Sequence, residues 1–195
     1  MSIDSDPEIL NTIRYQYSDP IIPEGIAAFK LQKFMDERGF FRPDLNSLIL
    51  EDLGFGKFFQ KNISMSAKGV IRGMHWQNRN SGQTKIISCL QGTVVDVVID
   101  LRKESKTYGS INSFKLNSDE PIYLKIPVGF AHGFQALEEK TLFSYWVNSP
   151  FAPSDEMSIS PLSPELEIYW ENITKIVNAR DSNAVTFQEF FGNLQ

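Results

Sequence analysis

The chain has two histidines, and the first sits in the stretch Gly69-Val70-Ile71-Arg72-Gly73-Met74-His75-Trp76-Gln77. Imidazole titrates near neutrality when unperturbed, so it takes and returns a proton at little cost. Arg72 beside it is a permanently charged fork suited to a phosphate or carboxylate. Alone, His75 would more often be one polar residue satisfied in a strand, since most histidines do no chemistry. The second, His132, lies in Gly129-Phe130-Ala131-His132-Gly133-Phe134, where glycines and aromatics suggest a closely approached, partly apolar cavity. Tyr145, in Phe143-Ser144-Tyr145-Trp146, could donate a phenolic proton, although a strand tyrosine is commonly only core. Lys85 and Asp96 interrupt apolar runs. With Gln91-Gly92 as a two-residue hairpin turn, Lys85 faces Val98 and Ile87 faces Asp96, making Lys85 and Asp96 diagonal neighbours on one face. Such a pair is either a solvated surface ion pair or, if buried, costly without a purpose.

Metal chemistry has little to build on. The histidines are far apart and no His-x-His pair exists, so a three-imidazole site cannot be assembled, and a mixed His/carboxylate site has no spacing to support it. No Gly-rich dinucleotide loop is present either.

The elements that must hold these residues read as mainly β. Ile26, Ala28, Phe29 and Leu31 form a strand between Pro23 and the polar turn Asp36-Glu37-Arg38-Gly39. Asp44 to Leu53 has helical spacing, with Gly54 ending it. Short strand-like runs follow at Phe58-Phe59, Val70-Ile71, Ile86–Cys89, Val94–Ile99, Ile111–Leu116, Ile122–Ile126, Gly133–Leu137 and Thr141–Val147. Many short strands separated by turns such as Tyr108-Gly109 and Pro127-Val128-Gly129 predict a sandwich or barrel, not a parallel α/β sheet. A short helix is expected between Asn183 and Phe191, and another after Asp6, with Pro7 in its first turn.

At 195 residues the chain suits one core, expected over residues 25–195, with residues 1–24 as an extension. Its net charge of -5 argues against a partner bound through phosphate neutralisation along a nucleic acid. No run approaches the roughly 20 apolar residues that span a bilayer. The acidic start lacks an export pattern, and the single cysteine, Cys89, rules out an internal disulfide, so a cytoplasmic location is expected. Cys89 itself, among Ile86, Ile87 and Leu90, reads as a small buried hydrophobe, not a nucleophile.

The sequence resembles the dTDP-4-dehydrorhamnose 3,5-epimerase family from about Gly25 to Phe190. The resemblance is carried by Asp36-Glu37-Arg38-Gly39-Phe40-Phe41, Gln60-Lys61-Asn62, Arg72-Gly73-Met74-His75-Trp76-Gln77, Lys85, Asp96-Val97-Val98-Ile99-Asp100-Leu101-Arg102 and Ile126-Pro127-Val128-Gly129-Phe130-Ala131-His132-Gly133-Phe134. It implies a metal-free, cofactor-free jelly-roll barrel of the cupin type with a few short peripheral helices, working as a homodimer in dTDP-rhamnose biosynthesis. The substrate it implies is a 4-keto-6-deoxy sugar on a nucleoside diphosphate. His75 then matches the general base and Asp181 the carboxylate that orients and charges it. Tyr145 matches the acid and Lys85 the family's lysine. Arg72 matches a diphosphate contact, and Gln60, Asn62, Arg38, Phe41, His132 and Phe151 match further substrate contacts. Two positions depart from the pattern: Phe41-Arg42-Pro43 lacks the usual glutamate, and Pro150-Phe151 replaces a Tyr-Tyr pair. Both belong to the nucleotide-binding part of the site.

These residue types suit proton abstraction α to a ketone, which needs a base on one side, an acid on the other and a cation at the developing oxyanion. Two rivals are a barrel that binds a nucleotide sugar without turning it over and a metal-dependent cupin isomerase or oxygenase.

Overall fold

The computed structural model describes residues 23–78 and 80–192. The short helix expected after Asp6, and nearly all of the 1–24 extension, lie outside the described residues. In order, the chain forms β1 (Ala27–Lys30), a ribbon of β2 (Phe34–Asp36) and β3 (Gly39–Phe41), and helix α1 (Ser47–Asp52). Then come β4 (Gln60–Ser66), β5 (Ile71–Gln77), β6 (Lys85–Gln91), β7 (Thr93–Asp100), β8 (Ile111–Asn117), β9 (Ile122–Ile126), β10 (Phe130–Ala136) and β11 (Thr141–Val147). A short β12 (Glu156–Ser158) and the helices α2 (Pro164–Glu167), α3 (Ala179–Ser182) and α4 (Phe187–Phe191) complete it.

Two five-stranded antiparallel sheets stack into a jelly roll, ordered β1-β9-β6-β11-β4 and β12-β5-β10-β7-β8. Between them Ile87, Val98, Phe114, Leu124, Phe134 and Phe143 form the central core. The outer faces are covered too. Leu45, Leu50 and Phe55, around α1, pack on Ile86 and Tyr123 of the first sheet. Ile159, Leu166 and Trp170 pack on Ile71, Val95 and Val97 of the second. A strand buried on both faces loses the apolar/polar alternation of a half-exposed one, which is why β7 reads as an almost unbroken apolar run and is buried from Val94 to Asp100.

Most of the expected strands are present, with two corrections. Phe58-Phe59 lies before β4, not in a strand; both side chains are exposed or nearly so, and Phe58 packs on Trp146 at 5.1 Å. The larger correction concerns β6 and β7. They are not a hairpin, because β6 pairs with β9 and β11 while β7 pairs with β8 and β10. Gly92, at φ +80°, turns the chain from one sheet into the other. The Lys85–Val98 register is therefore wrong, yet both Lys85 and Asp96 face the space between the sheets. α1 is shorter than the helical spacing predicts, because Asn46 caps it by accepting the Ile49 N–H; Gly54, at φ +58°, follows its C-cap Leu53. The C-terminal helix starts at a capping box of Thr186 and Glu189.

Candidate active site

The two sheets part at one end to leave a cavity of about 450 Å³. Strand alternation decides what lines it. On the first sheet, Lys85, Val147 and Gln60 stand side by side across β6, β11 and β4, and Ile87, Tyr145 and Asn62 form the next row. On the second, His75 of β5 is the cross-strand partner of His132 on β10. Base and acid candidates thus come from opposite walls. Of the residues expected at the site, His75, Tyr145, Asp181, Lys85, Arg72, Gln60, Asn62, His132 and Phe151 all line this cavity. Arg38 and Phe41 do not. They lie on the β2–β3 ribbon, where Arg38 pairs with Asp36 and Phe41 is 68% exposed.

His75 is fixed from behind. Its Nε2 lies 2.8 Å from Asp181 Oδ1, leaving Nδ1 without a hydrogen-bond partner among the described residues. Asp181 is fully buried and also accepts from the Gly73 N–H at 3.3 Å and from Asn178 Nδ2 at 3.2 Å. Asn178 caps α3 by accepting the Asp181 N–H, so one residue seats both the helix and its carboxylate. Burial works to raise the Asp181 carboxyl, but His75, the Gly73 amide and Arg180 outweigh it and hold it below the ordinary carboxylate value. Gly73 has a steric reason as well: a Cβ there would stand 2.5 Å from the Gly133 Cα, so only glycine lets β5 and β10 approach this closely.

His132 has its own carboxylate, with Nε2 2.7 Å from Asp96 Oδ2. Burial pushes the Asp96 carboxyl up despite His132 and Lys85. Lys85 reaches the His75 carbonyl at 3.5 Å. Exclusion of water by the walls pushes its ammonium down to about 8, against the pull of Asp96 and Glu156. Burial, reinforced by Glu156 and opposed by Arg72, raises the Tyr145 phenol, which therefore holds its proton at neutral pH. Arg72 donates to Ser66 Oγ at 3.1 Å and to the Met65 carbonyl at 3.2 Å. Both partners are neutral, so the guanidinium keeps a free charge for an anion.

Four polar lining residues escaped the sequence reading: Ser64, Gln83, Glu156 and Asn178. Ser64 was reachable, since Gln60, Asn62 and Ser64 alternate along β4. Glu156 was not. It arrives on a three-residue strand and is held by Arg180 at 2.6 Å. Among the described residues, no group of three or more His, Cys, Asp or Glu side chains could hold a metal ion. No helix there is long and apolar enough to cross a membrane. Cys89 is buried, and burial pushes its thiol up to about 12, as suits an inert hydrophobe. A larger hollow of about 890 Å³ lies beside Trp76 and the 101–107 loop. It contains no histidine or tyrosine, and its arginine, Arg102, is tied to Asp100 at 2.8 Å.

Comparison with known proteins agrees with this geometry. The profile of the dTDP-4-dehydrorhamnose 3,5-epimerase family matches residues 22–189. The dTDP-4-dehydrorhamnose 3,5-epimerase of Shigella flexneri is 34% identical over 180 residues, covering 91% of this chain and 96% of its own. The structure of a dTDP-6-deoxy-D-glucose-3,5-epimerase from Legionella pneumophila, in complex with dTDP-4-keto-L-rhamnose, is 34% identical with a TM-score of 0.80, covering 87% of this chain and 91% of its own. A 3'-monoepimerase from Streptomyces bikiniensis, in complex with dTDP-quinovose, is 28% identical with a TM-score of 0.80, covering 89% and 90%.

Proposed function

The chain belongs to the dTDP-4-dehydrorhamnose 3,5-epimerase family, and from that premise we propose how its cleft inverts carbon centres of a dTDP-linked 4-keto-6-deoxy sugar. The protein is an isomerase that epimerises such a sugar at C3, at C5 or at both. The observation that carries the mechanism is the placement of His75 and Tyr145 on facing sheets across one cavity.

The hydrogens on C3 and C5 flank the C4 ketone, so removing either gives an enolate. His75, anchored through Nε2 by Asp181, takes that proton at its unengaged Nδ1. Lys85 stands near the C4 oxygen and holds its developing negative charge; a preorganised cation of this kind is worth several kcal/mol. Tyr145, protonated because burial raises it, returns a proton to the opposite face. The enolate is planar, so removal of the proton from the side of the second sheet and delivery from the first inverts the centre. Arg72 binds the diphosphate, Gln60, Asn62 and His132 make further sugar contacts, and Phe151 at the rim packs on the base.

The active form is a homodimer. The β2–β3 ribbon exposes Phe34, Met35, Phe40 and Phe41, each at least 49% exposed, and carries Arg38 away from its own chain's cleft. An apolar ribbon of this kind, with β4 at a sheet edge, fits a second copy whose cleft it completes. Residues 25–195 are taken as the epimerase unit, residues 1–24 as an extension, and the cytoplasm as its location.

Incubation with dTDP-4-keto-6-deoxyglucose in heavy water, followed by NMR, tests the reading. Deuterium at C3 or C5 with inverted product is expected. Tight binding with no exchange would overturn it in favour of a binding module.

A further inference from the structure

Gln77 ends β5 two residues after His75 and is 7% exposed. Its planar amide is spent on one loop and its neighbour. Nε2 donates to the Pro150 carbonyl at 3.2 Å and to the Ser81 carbonyl at 2.6 Å, while Oε1 accepts the Ala152 N–H at 2.8 Å. Two of these bonds bracket Phe151, one on each side, and among the described residues nothing else bonds the Pro150 carbonyl or the Ala152 amide. Phe151 itself is 57% exposed at the rim of the cleft.

We infer that Gln77 is a positioning residue: it pins the backbone on both sides of Phe151 and so sets how firmly the nucleotide's base is gripped. The chemistry demands glutamine. The site needs one acceptor and two donors on a single planar group, and glutamate lacks the donors while methionine lacks both. An exposed aromatic ring loses little freedom on stacking only when its backbone is already fixed; otherwise part of the binding free energy goes into ordering the loop. The strand that carries His75 thereby also carries the brace of the base platform. This keeps the distance from base contact to reacting carbon constant. The same two loops are joined by Gln83 to the Ser149 carbonyl and by Asn148 to the Thr84 N–H, but neither of those bonds touches a peptide group flanking Phe151.

The inference rests on the reading of Phe151 as a base contact, and the test separates the two. Wild type, Gln77→Met, Phe151→Ala and the double variant are compared for the Kd of dTDP, the Kd of inorganic pyrophosphate, and kcat and KM. Gln77→Met is expected to weaken dTDP and raise KM about tenfold, the loss of roughly one or two neutral hydrogen bonds. Pyrophosphate affinity should be unchanged and kcat should stay within about twofold, because neither the phosphate nor the reacting end depends on the loop. In the Phe151→Ala background the effect of Gln77→Met should vanish. Gln77→Asn keeps the amide on a stem one methylene shorter, which cannot reach both peptide groups flanking Phe151, so it should give a loss of the same kind, and it carries the test if Gln77→Met does not fold. Phe151→Ala leaving dTDP binding unchanged would overturn the base-contact reading and the inference with it. A Phe151 effect with an undiminished Gln77 effect on top, or equal weakening of pyrophosphate, would overturn the inference alone.

Discussion

His75 and His132 are direct partners across the β5–β10 ladder, and each points its Nε2 at a different buried carboxylate, Asp181 at 2.8 Å and Asp96 at 2.7 Å. The two pairs look alike but stand differently. The His75 side chain is 27% exposed toward the cleft, whereas that of His132 is 8% exposed and stacks on Phe143. One imidazole can meet a substrate proton; the other touches the cleft only at its edge and mainly holds a buried carboxyl. His75→Asn should therefore lower kcat by about 10²–10⁴ while the fold and dTDP affinity persist. His132→Leu should instead cost about 1–3 kcal/mol of stability, since it leaves the buried Asp96 carboxyl without its hydrogen-bond partner. Urea melts and steady-state rates on both variants check this, and a tenfold or smaller drop in kcat for His75→Asn would contradict the assignment.

Tyr145→Phe separates the two halves of the reaction. Proton removal by His75 survives, and delivery from the first sheet does not. Deuterium exchange at the substrate carbon should then outrun net epimerisation, which wild type would not show. Equal loss of both would make Tyr145 a binding or core residue.

Lys85 gives the pH dependence a direction. Its ammonium is pushed down to about 8, so the cation proposed for the C4 oxygen is present below that value and lost as the pH rises through it. kcat/KM should fall on the alkaline side near pH 8. Glu156 favours the charged form of Lys85; Glu156→Gln removes that support, so the alkaline limb should move to lower pH. A pH–rate profile of the two proteins decides it, and an unmoved limb would mean another group titrates there.

How much of this was legible in the sequence depended on how local each signal was. The strands from Ile86 to Val147 announced themselves because apolar runs and turn residues act within a few positions. Cross-sheet relationships did not. Lys85 and Asp96 were paired through a hairpin that Gly92 does not make, and their approach comes from facing sheets. Asp181 was identified through family resemblance alone; no local pattern links it to His75, 106 residues away in the chain. Glu156 had neither a motif nor a periodicity, since a three-residue strand is too short to show one.

Dimer formation is testable at the ribbon. Phe40→Asp with Phe41→Asp places two charges on side chains now 58% and 68% exposed. A partner that buries them would be repelled, while an isolated chain would be indifferent. Sedimentation at micromolar concentration should show wild-type dimer and variant monomer, with a raised KM in the variant because Arg38 and Phe41 no longer reach the partner cleft. A wild-type monomer with full activity would end the idea.

Nucleotide selectivity follows from the two departures from the family pattern. Pro43 stands where the family resemblance implies a glutamate, and it has neither a side-chain polar atom nor a backbone N–H. Phe151 keeps a stacking face at the rim but has no hydroxyl, and Pro150 offers neither an aromatic face nor a hydroxyl. Stacking is tolerant of base identity, whereas hydrogen bonds read it. Each absent neutral hydrogen bond is worth about 0.5–1.5 kcal/mol, and two or three together amount to roughly one to two powers of ten in discrimination. Arg72, with only neutral partners, keeps its charge available to an anion whatever the base. Dissociation constants for dTDP, UDP, GDP and CDP, measured side by side, should thus lie closer together than in a protein that keeps the glutamate and both tyrosines. A preference for dTDP of a hundredfold or more over all three others would show that residues elsewhere in the cleft read the thymine.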